Sequence, residues 1–342
     1  MKRLRVLVLM DEDLVPPDSV EGYSEEEQLE WQTEFDVLTT LKNMGHDAQA
    51  LGVSDDLGVI RKKLLEMKPH ITFNLLEEFH GLAIFDQHVA SYLELMKQPY
   101  TGCNPRGLML AHDKAISKQI LSYHRIPTPL FAVYPRGKVA RPPRRKQVYP
   151  LLVKSVIEEA SLGITKDSIV HTEKQLIDRI AYIHEEICTD ALVEEFIEGR
   201  ELYVGLLGNQ RLQTFPIWEM TFGNLPDNIP KIATRRVKWD LKYQKEIGLK
   251  THAATDLPPG AAKKISRLCR RVYRVLFQSG YSRMDLRMTE DGKVYVLEAN
   301  PNPNLSFGED FAESAEKDQL SYPQLLQRIL NLGLRYHPGW RG

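Results

Sequence analysis

Four polar residues near the C-terminus carry types and spacings that could hold a cation beside an anion: Arg283, Asp285, Glu298 and Asn300. Asp291-Gly292 between them is a preferred central pair for a two-residue type I′ hairpin turn. That turn sets Glu290 against Lys293, Arg287 against Val296, Asp285 against Glu298 and Arg283 against Asn300. Strand alternation then puts Met284, Leu286, Met288, Leu297 and Ala299 on a core face and the four polar residues on the other. Directly opposed carboxylates, with Cβ atoms about 4.5–5.5 Å apart, repel unless a cation lies between them or they share a proton. Two carboxylates and an amide oxygen suit Mg²⁺, a hard ion completed by water and phosphate oxygens. The same four residues would equally make a solvent-facing charged hairpin with Arg283 neutralising Asp285. The segment that follows, Asn300-Pro301-Asn302-Pro303-Asn304, is a rigid, amide-rich turn unlike generic surface.

The elements that must carry this hairpin read from patterning. In residues 4–96, strands at 4–10, 48–53 and 70–76 alternate with helices ending at Gly45 and spanning 57–67 and 84–96. That rhythm predicts a parallel sheet with helices on both faces, and the loop 11–25 falls where such sheets bind ligands. A helix over 104–123 and a strand at 130–134 follow. A compact α+β unit comes next, with strands at 151–156, 164–171 and 191–197 and a helix over 172–187 that Thr172 and Gln175 cap reciprocally. The final third reads as strands at 201–207 and 213–220, a long basic loop at 226–242, a helix at 261–279, the hairpin and a helix at 322–332.

Residues 282–303 resemble the metal-binding end of ATP-grasp ligases, specifically the D-alanine–D-alanine ligase group. The likeness extends to Leu93-Glu94-Leu95-Met96, Pro99-Tyr100-Thr101-Gly102, Asp113-Lys114, Val153-Lys154, Val193-Glu194-Glu195-Phe196-Ile197 and Glu198-Gly199-Arg200-Glu201, in the family's order, over roughly residues 70–332. It implies mixed α/β and α+β architecture in three domains: a parallel-sheet substrate domain (1–112), a central lid domain (113–194) and a C-terminal domain with the metal site (195–342), ATP lying between the last two. The resemblance assigns Lys114 and Lys154 to the ATP phosphates. Backbone groups of Glu194, Glu195 and Ile197 would read adenine, with Ile197 and Leu297 on its faces, and Glu201 would hold the ribose. Ser161, in the small-residue loop 160–163, would close over the phosphates, although Glu158 and Glu159 depart from the family's form. Lys242 corresponds to a lysine covering the γ-phosphate. Asp285, Glu298 and Asn300 would hold Mg²⁺ (or Mn²⁺), and Arg283 would steady the oxyanion formed as an amine attacks an acyl phosphate. On the substrate side fall His80, Arg283 and Asn304.

The implied activity is an ATP- and Mg²⁺-dependent ligase joining a small carboxylate to an amine. Asp11-Glu12-Asp13-Leu14-Val15-Pro16-Pro17 replaces the family's glycine-rich turn, Ala160 replaces a substrate-side serine and Asn304 a glycine. These departures imply a substrate other than D-alanine. A non-catalytic nucleotide-binding regulator that kept the fold is the alternative, favoured by Glu158-Glu159 and opposed by the complete hairpin set.

Composition limits the remaining classes. Among 342 residues, 45 Lys and Arg against 46 Asp and Glu give a net charge of −1, which argues against a nucleic-acid coat despite the basic stretch 136–146. No apolar run approaches the ~20 residues that cross a bilayer, and the start reads as a strand rather than a leader. Three widely separated cysteines, Cys103, Cys188 and Cys269, form neither a disulfide framework nor a zinc pattern. A cytoplasmic enzyme with small-molecule partners, no nucleic acid or membrane partner and a possible homodimer is expected. The cations Lys231, Arg235, Arg236 and Lys238 favour an anionic substrate on charge alone. P-loop, Gly-x-Gly-x-x-Gly and Gly-x-Ser-x-Gly signatures are missing.

Overall fold

The computed structural model describes residues 3–138, 140, 148–157, 164–226 and 230–338. In chain order the first elements are β1 (Arg5–Asp11), α1 (Glu25–Asn43), β2 (Asp47–Val53), α2 (Leu57–Met67), β3 (Ile71–Asn74), α3 (Asp86–Leu95), α4 (Pro105–His112) and α5 (Lys114–Tyr123). Then come β4 (Phe131–Tyr134), β5 (Leu151–Ser155), β6 (Ile169–Val170), α6 (Glu173–Glu185) and β7 (Ala191–Glu195). The remainder is β8 (Arg200–Leu207), β9 (Gln213–Thr214), β10 (Trp218–Phe222), α7 (Arg235–Trp239), α8 (Leu241–Glu246), β11 (Leu249–Ala253), α9 (Ala261–Val275), β12 (Tyr281–Met288), β13 (Val294–Pro301), α10 (Asp310–Lys317) and α11 (Tyr322–Leu334).

Three sheets result. The first is parallel, in the order β2-β1-β3. Because parallel strands are covered on both faces, β1 is an unbroken apolar run. Val6, Val8 and Met10 pack with α1 and α11, while Leu7 and Leu9 pack with α2 and α3. The chain's last helix therefore closes the first sheet. The second sheet runs β4-β7-β5-β6 and is antiparallel, with Leu176, Ile180 and Ile183 of α6 on one face. The expected domain boundary after residue 194 would cut β7, which ends at Glu195. The third sheet is also antiparallel, in the order β11-β10-β8-β12-β13 with β9 beside β8, and α9 covers its apolar face. No helix among the described residues is long and apolar enough to cross a membrane.

Several local expectations change. The helix expected over 104–123 is two helices, because Asp113 leaves the helical conformation and its carboxylate caps α5 at the Ile116 amide, 2.8 Å away. The strand expected at 164–171 shrinks to Ile169–Val170 behind a 3₁₀ turn. Thr172 caps α6, but the Gln175 side chain accepts from His171 instead of reciprocating. The loop expected at 226–242 contains α7 and the start of α8, and β11 follows.

The hairpin itself departs from expectation twice. Gly292, at φ +79°, donates to the Thr289 carbonyl, and the Thr289 amide donates to the Lys293 carbonyl. The loop is therefore the three residues 290–292 with glycine in the left-handed position, not a two-residue turn. This opposes Arg287 to Tyr295 rather than Val296. A bulge at Leu297 then restores the register, so Asp285 faces Glu298 and Arg283 faces Asn300 as expected. Val296 takes the core position assigned to Leu297, which is left half-buried on the bulge.

Candidate functional site

Strand pairing brings the polar face together. Across β8 and β12, Glu201 opposes Arg287, Tyr203 opposes Asp285 and Gly205 opposes Arg283. Across β12 and β13, Asp285 opposes Glu298 and Arg283 opposes Asn300. Arg283 grips Asp285 with two bonds, Nε to Oδ1 at 2.8 Å and Nη2 to Oδ2 at 3.0 Å. Its guanidinium lies 4.8 Å from the Tyr203 ring centroid and 3.9 Å from Asp310. The Arg283–Asp285 pairing expected of an exposed hairpin is thus present, but it is buried: the two side chains are only 17% and 8% exposed.

The electrostatics of the two facing acids are unequal. Burial pushes the Asp285 carboxyl above its usual range in spite of Arg283, and Glu298 adds to the rise. Glu298 goes the other way: burial opposes it, but Lys114, Lys154, Lys238 and Arg283 pull its carboxyl down to about 2. The pair thus holds one firmly ionised carboxylate opposite one for which burial disfavours charge, an imbalance that a shared cation relieves. Among the described residues no three His, Cys, Asp or Glu side chains converge as a metal cluster. A metal here would find two carboxylates and the Asn300 amide oxygen, a set of hard oxygens that fits Mg²⁺ or Mn²⁺.

Behind this face lies a buried relay. Glu194 receives Lys154 Nζ on Oε1 and Lys118 Nζ on Oε2, both at 2.8 Å, and Lys118 also reaches Thr128 Oγ1 at 3.0 Å. Burial opposes charge on all three. The two ammonium groups nevertheless hold the Glu194 carboxyl low, and Glu194 with Glu298 raises Lys154. For Lys118 burial wins, and its ammonium is pulled below the usual lysine range. Sequence reasoning missed Lys118; its signal was a lysine on the same helical face as buried Leu121.

The other expected residues fall as follows. Lys114 is buried at the start of α5 and acts on Glu298. The Glu195 and Phe196 amides donate to the Leu130 and Pro150 carbonyls, so among the described residues the Ile197 amide is the first beyond β7 not committed in this way. Glu201 is buried and receives Arg287 Nη2 at 2.6 Å and Tyr203 Oη at 2.9 Å. Lys242 is exposed on α8, whereas Lys238 on α7 acts on Asp285, Glu298 and Asp310. His80 is exposed with its ring 3.9 Å from Asp55, and no hydrogen bond among the described residues ties it to the hairpin. Ser161, with Glu158 and Glu159, lies outside the described residues.

Asn302 and Asn304 act as staples. Asn302 Oδ1 accepts from the Cys103 amide at 2.8 Å, a contact that glycine at 102 permits because a Cβ there would lie 2.6 Å from the same oxygen. Asn304 Oδ1 accepts from Thr33 Oγ1 at 2.9 Å and the Ser306 amide at 2.7 Å. The amide-rich turn ties the hairpin to α1 and to the segment between α3 and α4.

This layout, with lysines and paired acids on facing antiparallel sheets, is that of an ATP-grasp protein. Residues 128–331 match the family model for the D-alanine–D-alanine ligase C-terminus. The uncharacterized protein y4sG of Sinorhizobium fredii is 31% identical over 314 residues, 89% of this chain and 88% of that one. A D-alanine–D-alanine ligase of Desulfotalea psychrophila is 29% identical over 265 residues, 77% of this chain and 79% of that one. The crystal structure of the Bacillus anthracis D-alanine–D-alanine ligase complexed with ATP superposes with a TM-score of 0.72 at 21% identity, covering 97% and 98% of the two chains. The chain belongs to the D-alanine–D-alanine ligase family of ATP-grasp, ATP-dependent carbon–nitrogen ligases.

Proposed function

We propose that this protein activates a small carboxylate with ATP and couples it to an amine. The observation that carries the reading is the buried face on which Asp285 opposes Glu298 and Arg283 stands beside them, with Lys114, Lys154 and Lys238 acting on it. A substrate carboxylate oxygen attacks the γ-phosphorus while the bond to the β-phosphate oxygen breaks, giving ADP and an acyl phosphate. The amine nitrogen then bonds to the acyl carbon, loses a proton, and inorganic phosphate departs. Both steps concentrate negative charge, and fixed cations in a water-poor site are the strongest means of stabilising it.

In this reading Lys114 and Lys154 hold phosphate oxygens, and Lys238 takes the covering role expected of Lys242. Glu194 orients Lys154 through their 2.8 Å ion pair. Ile197 and Leu297 flank adenine, and Glu201 is oriented by Arg287 toward the ribose. Mg²⁺ or Mn²⁺ held by Asp285, Glu298 and Asn300 would neutralise phosphate charge. Arg283 would leave Asp285 for the developing oxyanion, with Asp310 keeping the guanidinium close. The acidic, proline-bearing loop after β1 supports a substrate other than D-alanine.

ADP release tests the reading. With ATP, Mg²⁺ and a panel of carboxylates and amines, at least one combination should stimulate ADP formation, and Glu298→Gln should abolish the stimulation. Nucleotide binding with no stimulated turnover across the panel would instead support a regulatory ATP-binding protein.

A further inference from the structure

Helix α5 passes from the core of the second sheet to that of the third, and Lys118 stands midway. Ala115, one turn before it, packs with Leu192 of β7, and Leu121, one turn after it, shares the core of β8, β12 and α9. Lys118 itself is only 1% exposed. Its ammonium donates to Glu194 Oε2 on β7 at 2.8 Å and to Thr128 Oγ1 at 3.0 Å. Thr128 donates in turn to the Val296 carbonyl on β13 at 2.9 Å, and the Val296 amide donates back to the Pro127 carbonyl at 2.8 Å. One buried side chain thus ties the second sheet to the part of β13 that carries the Leu297 bulge and Glu298.

Lys154 reaches the same carboxylate from the other side. Leu152 of β5 opposes Glu194, so Lys154 is the diagonal neighbour of Glu194 on the same face of the sheet. Its Nζ meets Oε1 at 2.8 Å. Glu194 therefore gives one oxygen to each lysine, and two ammonium charges against one carboxylate leave one positive charge in excess. A single lysine would have neutralised the acid. A second buried charge is costly unless an anion completes the group. Among the described residues no other carboxylate forms an ion pair with either ammonium. Glu298 and Asp285 act on Lys154 from farther away, and the proposed metal claims both.

We propose that Lys118 is a positioning residue for the nucleotide's phosphates, acting through Glu194 on Lys154. By occupying Glu194 Oε2 it leaves Lys154 with an uncancelled positive charge and two further N–H donors for phosphate oxygens. The claim rests on the ligase reading, which assigns Lys154 to the phosphates. Without Lys118, the charges of Lys154 and Glu194 cancel, and Oε2 draws the remaining donors of Lys154 into a grip on both carboxylate oxygens. Thr128 sets where the Lys118 ammonium sits, because the same hydroxyl is bonded to the Val296 carbonyl. The relay therefore also ties the phosphate lysine to the strand that carries a metal acid.

The test is calorimetric titration of the full chain with adenosine and, with Mg²⁺ present, with a non-hydrolysable ATP analogue. The ratio of the two affinities isolates what the phosphates contribute. In Lys118→Met that ratio should fall by roughly ten- to thirtyfold while adenosine binds as before. This is the effect of removing a unit charge about 8–10 Å away, three hydrogen-bond lengths along the relay, at an effective dielectric of about 20. Lys118→Met/Glu194→Gln restores the wild-type excess of one positive charge and removes the unmatched acid. Its ratio should return toward the wild-type value, and its resistance to denaturant should recover with it, even where the single variant fails to fold. A lysine with a merely structural role predicts the reverse, the second substitution adding to the damage of the first. An unchanged ratio in Lys118→Met, or a double variant no better than the single one, would overturn the proposal. Lys154→Met separates this from failure of the ligase reading. A ratio that survives Lys154→Met, or a wild type that binds no nucleotide, overturns both; a ratio lost in Lys154→Met but unchanged in Lys118→Met overturns the proposal alone.

Discussion

Replacing Glu34 by glutamine should make the protein more stable at alkaline pH, because burial disfavours the charge of its carboxylate. The folded protein holds this carboxyl near 7 against a usual value of 4.5, because burial, Glu77 and Asp11 all disfavour its charge. The sign follows from proton counting. Below pH 4.5 both folded and unfolded chains are protonated at this position and nothing is lost. Between 4.5 and 7 the unfolded chain releases its proton while the folded chain keeps it, so stability falls as pH rises. Two and a half pH units correspond to about 3 kcal/mol, fully expressed above pH 8. Glutamine removes that penalty. Thermal melts of the unliganded proteins should therefore coincide near pH 4.5, and the variant should melt several degrees higher at pH 8.5, at roughly 2–4 °C per kcal/mol for a unit of 150–250 residues. A variant that melts at or below the wild type at pH 8.5 would mean that Glu34 is ionised and partnered in the folded protein, against the burial argument.

Two further perturbations address the phosphate side. Lys118→Met leaves Glu194 buried with one ammonium instead of two, and should destabilise by about 3–5 kcal/mol in chemical denaturation; a change within experimental error would show that Lys154 alone satisfies the carboxylate. Lys238→Ala should lower the rate of stimulated ADP release by roughly 10²–10³-fold, whereas Lys242→Ala, on the exposed face of α8, should change it by about fivefold at most. The opposite ranking of the two lysines would restore the expectation drawn from sequence.

The sequence made the hairpin face legible because alternation fixes which side chains share a side, whatever the details of the turn. The facing of Asp285 and Glu298 nevertheless came out right through two compensating departures. A three-residue loop shifted the register by one, and the bulge at Leu297 shifted it back. Bulges leave little mark in sequence, since either Val296 or Leu297 could fill the core position. The proposed move of the covering role from Lys242 to Lys238 has a different origin. The segment around Lys238 is rich in cations, and only the short helices α7 and α8, capped by Thr234 and Asp240, decide which of them turns inward. Asp113 hid similarly, as a helix cap inside what reads as one continuous apolar periodicity. Glu34 carried a usable signal that was passed over. It lies three residues after Trp31 and four and seven before Leu38 and Leu41, all buried, so it occupies the apolar stripe of α1. An acid on such a stripe is either paired or functional.

The proposed chemistry requires Asp285 and Glu298 to grip one divalent ion against a triphosphate. Electron paramagnetic resonance of Mn²⁺ titrated into the protein with a non-hydrolysable ATP analogue reads this directly. Bound Mn²⁺ should depend on the analogue in the wild type, and Asp285→Asn or Glu298→Gln should weaken it at least about tenfold with the fold intact. Undiminished Mn²⁺ binding in both variants would place the ion elsewhere and contradict the site.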